Sequence, residues 1–121
     1  MSRSVLLQLA RDSIEEVLEA QNTINKNLLK TTHPLLKQNI ATTIQLHLDK
    51  KIRGMHSSDA SKSLLENIIV SAKKAAFENK EHAPITTSEY LFCEVEIILS
   101  TEEGVISEKD PSILKSEENT F

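Results

Sequence analysis

Apolar residues open the chain at helical spacing. Val5, Leu6, Leu9, Ile14, Val17 and Leu18, with Ser13, share one face and predict a helix over residues 4–20. Ser2 or Ser4 is placed to cap it, and Arg11, Asp12, Glu15, Glu16 and Glu19 fall mostly off that face. Residues 21–39 lose the pattern. They are rich in Asn, Lys and Thr, allow a short helix around 24–30, and run through Thr31-Thr32-His33-Pro34, so they read as a partly irregular connection. At residues 40–48 the period changes to two: Ile40, Thr42, Ile44, Leu46 and Leu48 point one way, and Ala41, Thr43, Gln45 and His47 the other. That alternation predicts a half-buried strand. After the polar Asp49-Lys50-Lys51, Ile52 to about His56 forms a hairpin partner. Lys does not suit a left-handed turn position, so the expected turn is not an ideal two-residue one, and the register stays open.

Ser57–Ser61 reads as a loop, and Ser63 with Glu66 as a capping box. The stripe Leu64, Leu65, Ile68, Ile69, Ala72, Ala76, extended by Phe77, predicts the clearest helix of the chain, with Lys73 and Lys74 near its negative end and Asn79 as its stop. His82-Ala83-Pro84 turns the chain, and Thr86 with Glu89 marks a single helical turn over 87–91. Leu91, Cys93, Val95, Ile97 and Leu99 then alternate with Phe92, Glu94, Glu96 and Ile98, a strand with one wholly apolar face. After Ser100 the pattern fades. The fold class expected is α+β: a mostly antiparallel sheet of at least three strands with two main helices packed on one side. Residues 1–100 form the single domain expected at this length, and 101–121 an acidic tail, flexible or weakly docked.

Composition narrows the function classes. Hydrophobic residues make up 39% and charged residues 26%, a globular balance, while aromatics are only 3%. The core is therefore aliphatic, and few side chains are available for stacking nucleic-acid bases. The net charge of −4 is uneven. Residues 101–121 hold six acids and two bases, which leaves the first hundred residues neutral; within them, segment 21–62 carries seven Lys or Arg against Asp49 and Asp59. A basic middle beside an acidic tail fits an anionic ligand, or a tail that screens the middle; the second is the plainer reading. The lone Cys93 excludes a disulfide framework within the chain and a cysteine-rich zinc site. The opening Met1-Ser2-Arg3-Ser4 leads into an amphipathic pattern without the apolar core of a signal peptide, and no apolar run approaches the ~20 residues of a membrane span. The expected compartment is the cytoplasm, with no membrane association.

Three runs together carry a resemblance. They are Leu6-Leu7-Gln8-Leu9-Ala10-Arg11; Ala41-Thr42-Thr43-Ile44-Gln45-Leu46-His47 followed by Ile52-Arg53-Gly54; and Ala75-Ala76-Phe77-Glu78-Asn79 followed by Pro84-Ile85-Thr86 and Glu94-Val95-Glu96-Ile97. In order and spacing the sequence resembles the AMMECR family, the first member of the AMMECR, Memo and radical-SAM gene set, over roughly residues 5–104. The third run is the most specific. Two departures stand out. The family's hairpin strand reads Leu-Arg-Gly-Cys-Ile-Gly, whereas this chain has Ile52-Arg53-Gly54-Met55-His56-Ser57, so Met55 replaces the cysteine and Ser57 the second glycine. The family domain also continues into further strands and helix where this sequence becomes acidic. The resemblance implies no settled biochemical activity.

Arg53 is the first candidate for binding. A guanidinium on a strand beside Gly54 can grip a carboxylate or phosphate through two parallel hydrogen bonds, and the match to the family's Arg-Gly favours it. The plainer alternative is a structural pair with Glu94 or Glu96. Gly54, Met55 and His47 complete the candidate ligand-binding set, and His56 (as general base) and Ser57 the candidate catalytic set. Met55 cannot be a nucleophile or thiolate ligand, and Cys93, on an apolar strand face, reads as a core residue. His47 and His56 on adjacent strands, with Asp59, could approach a metal, but no ligand spacing supports it; surface histidines are the plainer reading, and neither metal nor cofactor is expected. His33 and His82 carry no further signal.

Three functions are weighed. The first is a non-catalytic interaction or regulatory protein that meets a protein partner or a second copy through an exposed strand edge. The second is a small-molecule enzyme or binder with an anion clamp at Arg53. The third, disfavoured by the neutral body and scarce aromatics, is a weak nucleic-acid binder through 21–62. The first leads by a small margin.

Overall fold

The computed structural model describes residues 4–78 and 82–114. Helix α1 (Val5–Glu19) starts at Ser4, whose hydroxyl accepts the Leu7 N–H. A short helix α2 (Lys26–Thr32), capped by Asn25, and a 3-10 turn (Pro34–Lys37) lead into the hairpin β1 (Ala41–Leu48) and β2 (Lys51–Ser58). Helix α3 (Leu64–Phe77), helix α4 (Thr87–Phe92), β3 (Glu94–Thr101) and β4 (Gly104–Asp110) follow. All four strands join one antiparallel sheet in the order β2-β1-β3-β4.

Alternation along the strands fixes the layers. Thr42, Ile44 and Leu46 of β1 and Val95, Ile97 and Leu99 of β3 point to one face and are buried there. Helix α3 covers β1 and β2 on that face, and α1 lies beside it against β3 and β4. The core is aliphatic: Leu9, Ile14, Leu64, Leu65 and Ile68 fill the space between helices and sheet, with Tyr90 its one buried aromatic among the described residues. Among those residues no helix packs on the opposite, more polar face.

The expected α+β class holds, with one more strand than the three counted. The stretch expected as a flexible or weakly docked tail supplies β4, which pairs with β3 in unbroken register from Val95↔Asp110 to Thr101↔Gly104. The alternation was hidden because β4 is an edge strand whose two apolar residues, Val105 and Ile106, are adjacent and both exposed. Asp110 closes the strand and is buried against α1: it accepts 2.7 Å from Arg11 Nε. Residues 115–121 lie outside the described residues, as does the expected stop at Asn79.

Four local readings are corrected. Arg11 is fully buried instead of lying off the helix face, because its guanidinium ties α1 to Asp110, to the Cys93 carbonyl at 3.2 Å and to the Pro111 carbonyl at 2.9 Å. Glu16 is also buried, accepting the backbone N–H groups of Thr23 and Ile24 and the Lys73 ammonium. The Ser63 box is only half made: Ser63 accepts the Glu66 N–H, while the Glu66 carboxylate pairs with Lys26. The hairpin turn is a two-residue one after all, since Leu48 pairs with Lys51. Asp49 (φ 54°) and Lys50 (φ 66°) both take the left-handed conformation that matches the strand twist.

Candidate functional site

The Arg-Gly strand is shaped by a β-bulge. Leu46 pairs with Gly54 but His47 pairs with Ile52, so Arg53 is the extra residue of β2. A bulge re-aims a side chain, and Arg53 turns under the helix-covered side to become 8% exposed. Its guanidinium donates from Nη2 to the Glu89 carboxylate at 3.0 Å and to the Ala83 carbonyl at 2.7 Å, with a longer contact from Nε to the second Glu89 oxygen at 3.4 Å. The partner is therefore Glu89, not Glu94 or Glu96. Glu94 pairs with Lys109 and Glu96 with His47.

Glu89 is set by its own helix. Thr86 and Glu89 form the reciprocal capping box that the sequence announced. The hydrogen bond from Arg53, aided by the Thr86 N–H, holds the Glu89 carboxyl below the usual carboxylate range. An anion gripped by Arg53 would have to displace this carboxylate.

The remaining candidates do not converge. His56 faces α3, with Nδ1 3.2 Å from the Ser71 hydroxyl, which in turn lies 2.6 Å from Ser58. Burial, then the nearby Lys74, lowers the His56 pKa, against an opposing pull from Glu78. Gly54 is on the same side, opposite Leu46. Met55 and Ser57 alternate to the bare face, where Met55 contacts Gln45 and Ser57 contacts Thr43. His47 is on the bare face too, 3.1 Å from Glu96. His47 and His56 are thus on opposite faces of the sheet and cannot share a ligand. Among the described residues no group of three or more His, Cys, Asp or Glu side chains is arranged to hold a metal. Cys93 caps the end of α4, buried, and burial raises its thiol pKa to about 11.

Of these candidates only His47 borders a groove of about 670 Å³ at the turn end of the sheet. One wall is the β1–β2 turn, with Leu48, Asp49 and Lys50; the second is α4, with Ser88, Glu89 and Phe92; the third is Pro111, Ser112 and Leu114 after β4, with Glu94 between. Sequence reasoning missed these walls. The Thr86/Glu89 signature is the local signal nearest to them, and by itself it marks a helix cap and not the wall of a groove.

Comparison with known proteins agrees with this architecture. The AMMECR1 family model matches residues 7–117. A crystal structure of an uncharacterized protein, PH0010, from Pyrococcus horikoshii aligns with a TM-score of 0.69 at 25% identity. That alignment covers 78% of this chain and 48% of the archaeal one, so this chain matches about half of that relative's length. The search of curated proteins finds no match. With the family model spanning both the bulged Arg-Gly strand and the strand that follows Ser100, the chain belongs to the AMMECR1 family.

Proposed function

We propose that this AMMECR1-family domain is a non-catalytic interaction or regulatory module, and that it adds a strand from a second copy or another protein to the free edge of β4. The observation that carries this reading is β4 itself. It is a regular seven-residue edge strand whose Val105 and Ile106 are 70% and 55% exposed. Edge strands are ordinarily guarded by bulges, prolines or lysines. The opposite edge, β2, has such guards in the Arg53 bulge and in Lys50 and Lys51 at its start. β4 has no bulge and no proline within it, and its one lysine, Lys109, is drawn back onto the sheet by Glu94.

The Arg-Gly strand supports the non-catalytic half of the reading. Its Arg is neutralised by Glu89, its Met55 replaces the family's cysteine, and His56 and Ser57 face opposite sides. Nucleophile, base and anion donor must meet within hydrogen-bond reach for acid–base or covalent catalysis.

The test is light scattering of the full chain at rising concentration, with cross-linking in lysate, on wild type and Val105→Lys. Position 105 is exposed, so the fold tolerates the change. The reading predicts self-association or one stoichiometric partner, cross-linked at β4 and lost in Val105→Lys. A clean monomer with no partner contradicts it, and so does an association that the variant retains.

A further inference from the structure

We infer that the groove at the turn end of the sheet binds an organic ammonium ligand with an apolar body. This rests on the groove alone, not on the β4 edge.

The groove is held in shape from behind by two buried arginines that do not line it. Arg53 fastens the start of α4 through Glu89 and the Ala83 carbonyl. Arg11 fastens the end of α4 through the Cys93 carbonyl, and the third wall through Asp110 and the Pro111 carbonyl. The Leu114 N–H donates to the Leu91 carbonyl at 2.8 Å, which joins that wall to α4. A concavity braced in this way needs little reordering to take a ligand, and its volume falls within the usual range for small-molecule sites.

Its lining decides the ligand. Leu48, Phe92, Pro111 and Leu114 give an apolar floor that an alkyl or aryl group can cover. The charged groups at the rim are three carboxylates, Asp49, Glu89 and Glu94, against the single ammonium of Lys50. Glu94 is already engaged by Lys109 on the exposed side. Glu89 is ionised and aimed: Oε1 takes the short bond from Arg53 and the Thr86 N–H, whereas Oε2 receives only the 3.4 Å contact from Arg53 Nε. Oε2 therefore keeps acceptor capacity for an N⁺–H donor, a pairing stronger than a neutral hydrogen bond. Asp49 faces the same space from the opposite wall. An anion would meet three carboxylates on the lining against the one ammonium of Lys50. A neutral ligand would leave the ionic acceptors unused.

Amide NMR of the full chain with phenethylamine, phenylethanol and hydrocinnamate tests this. These probes share an aryl body and differ in the charge of the head. Phenethylamine is expected to shift amides around the groove, such as those of Lys50, Ser88 and Phe92, while its two analogues do not. Asp49→Asn removes the carboxylate but suits the left-handed turn position, so the fold is kept; it is expected to weaken binding about tenfold. Glu89→Gln is expected to weaken binding as well, but it also removes the charge that pairs buried Arg53 and caps α4, so its loss is read together with the melting temperature and spectrum of the free variant, and Asp49→Asn carries the comparison. Absence of shifts, equal shifts with phenylethanol or hydrocinnamate, or undiminished binding in both variants would overturn the assignment.

Discussion

At the scale of single residues, two buried arginines carry much of the structure's specificity. Arg11 has no exposure, and its partners Asp110, Cys93 and Pro111 are brought from the far end of the chain. Its ring-face contact with Tyr90 at 5.2 Å adds a cation–π term. Removing one member of a buried pair strands the other, at a cost of about 3–5 kcal/mol. Arg11→Met should therefore lower stability by that order, and a denaturant titration reads it; a change under 1 kcal/mol would mean that Asp110 is solvated instead. His56 offers a pH handle. Its folded pKa is depressed, so the native state disfavours the protonated form. Stability is complete above the usual value of 6.5 and is lost as the pH falls through the lower folded value. Glu89 is likewise depressed, and its contribution, present above 4.5, is lost at lower pH. His56→Gln should flatten the melting temperature against pH in the first window and leave the acid limb in place. Parallel curves for variant and wild type would show that His56 carries no such linkage.

At the scale of elements, local pattern made most of the fold legible. The helical stripe of α3, the alternation of β1 and the Thr86/Glu89 cap appear where the sequence places them, whereas β3 starts at Glu94 and not at Leu91, because the capped turn continues through Phe92 and ends on Cys93. What was hidden depends on long-range pairing. Arg11 reads as a solvent-facing charge until Asp110, 99 residues away, is known to meet it. The inward turn of Arg53 depends on a bulge set by register, which strand periodicity does not reveal. The β1–β2 turn is a local exception, a two-residue turn built from Asp49-Lys50 where glycine or asparagine is preferred. A non-glycine residue in the left-handed region costs roughly 1–2 kcal/mol. Lys50→Gly should recover part of that and raise the melting temperature by a few degrees, as calorimetry would show. A lower melting temperature would mean that Lys50 makes a contact worth more than the strain.

At the scale of the whole molecule, the helices cover one face of a four-stranded sheet, and both sheet edges stay unpaired among the described residues. No helix of the described residues is long and apolar enough to cross a membrane. The candidate site was only partly legible. His47 reaches the groove, whereas Arg53, Gly54, Met55, His56 and Ser57 divide between two faces or stand behind Glu89. Strand periodicity could have warned of that division, since neighbours on a strand point apart. The two edges differ in their guards, and the account of this domain as an interaction module turns on β4 being open. Native-state hydrogen exchange of the isolated chain tests that most directly. The account predicts that alternate amides of Gly104–Asp110 exchange almost as fast as unstructured ones, while those of central strand β1 exchange only on global unfolding. Uniform protection along β4, equal to that of β1, would mean that the edge is already covered, and would contradict the account.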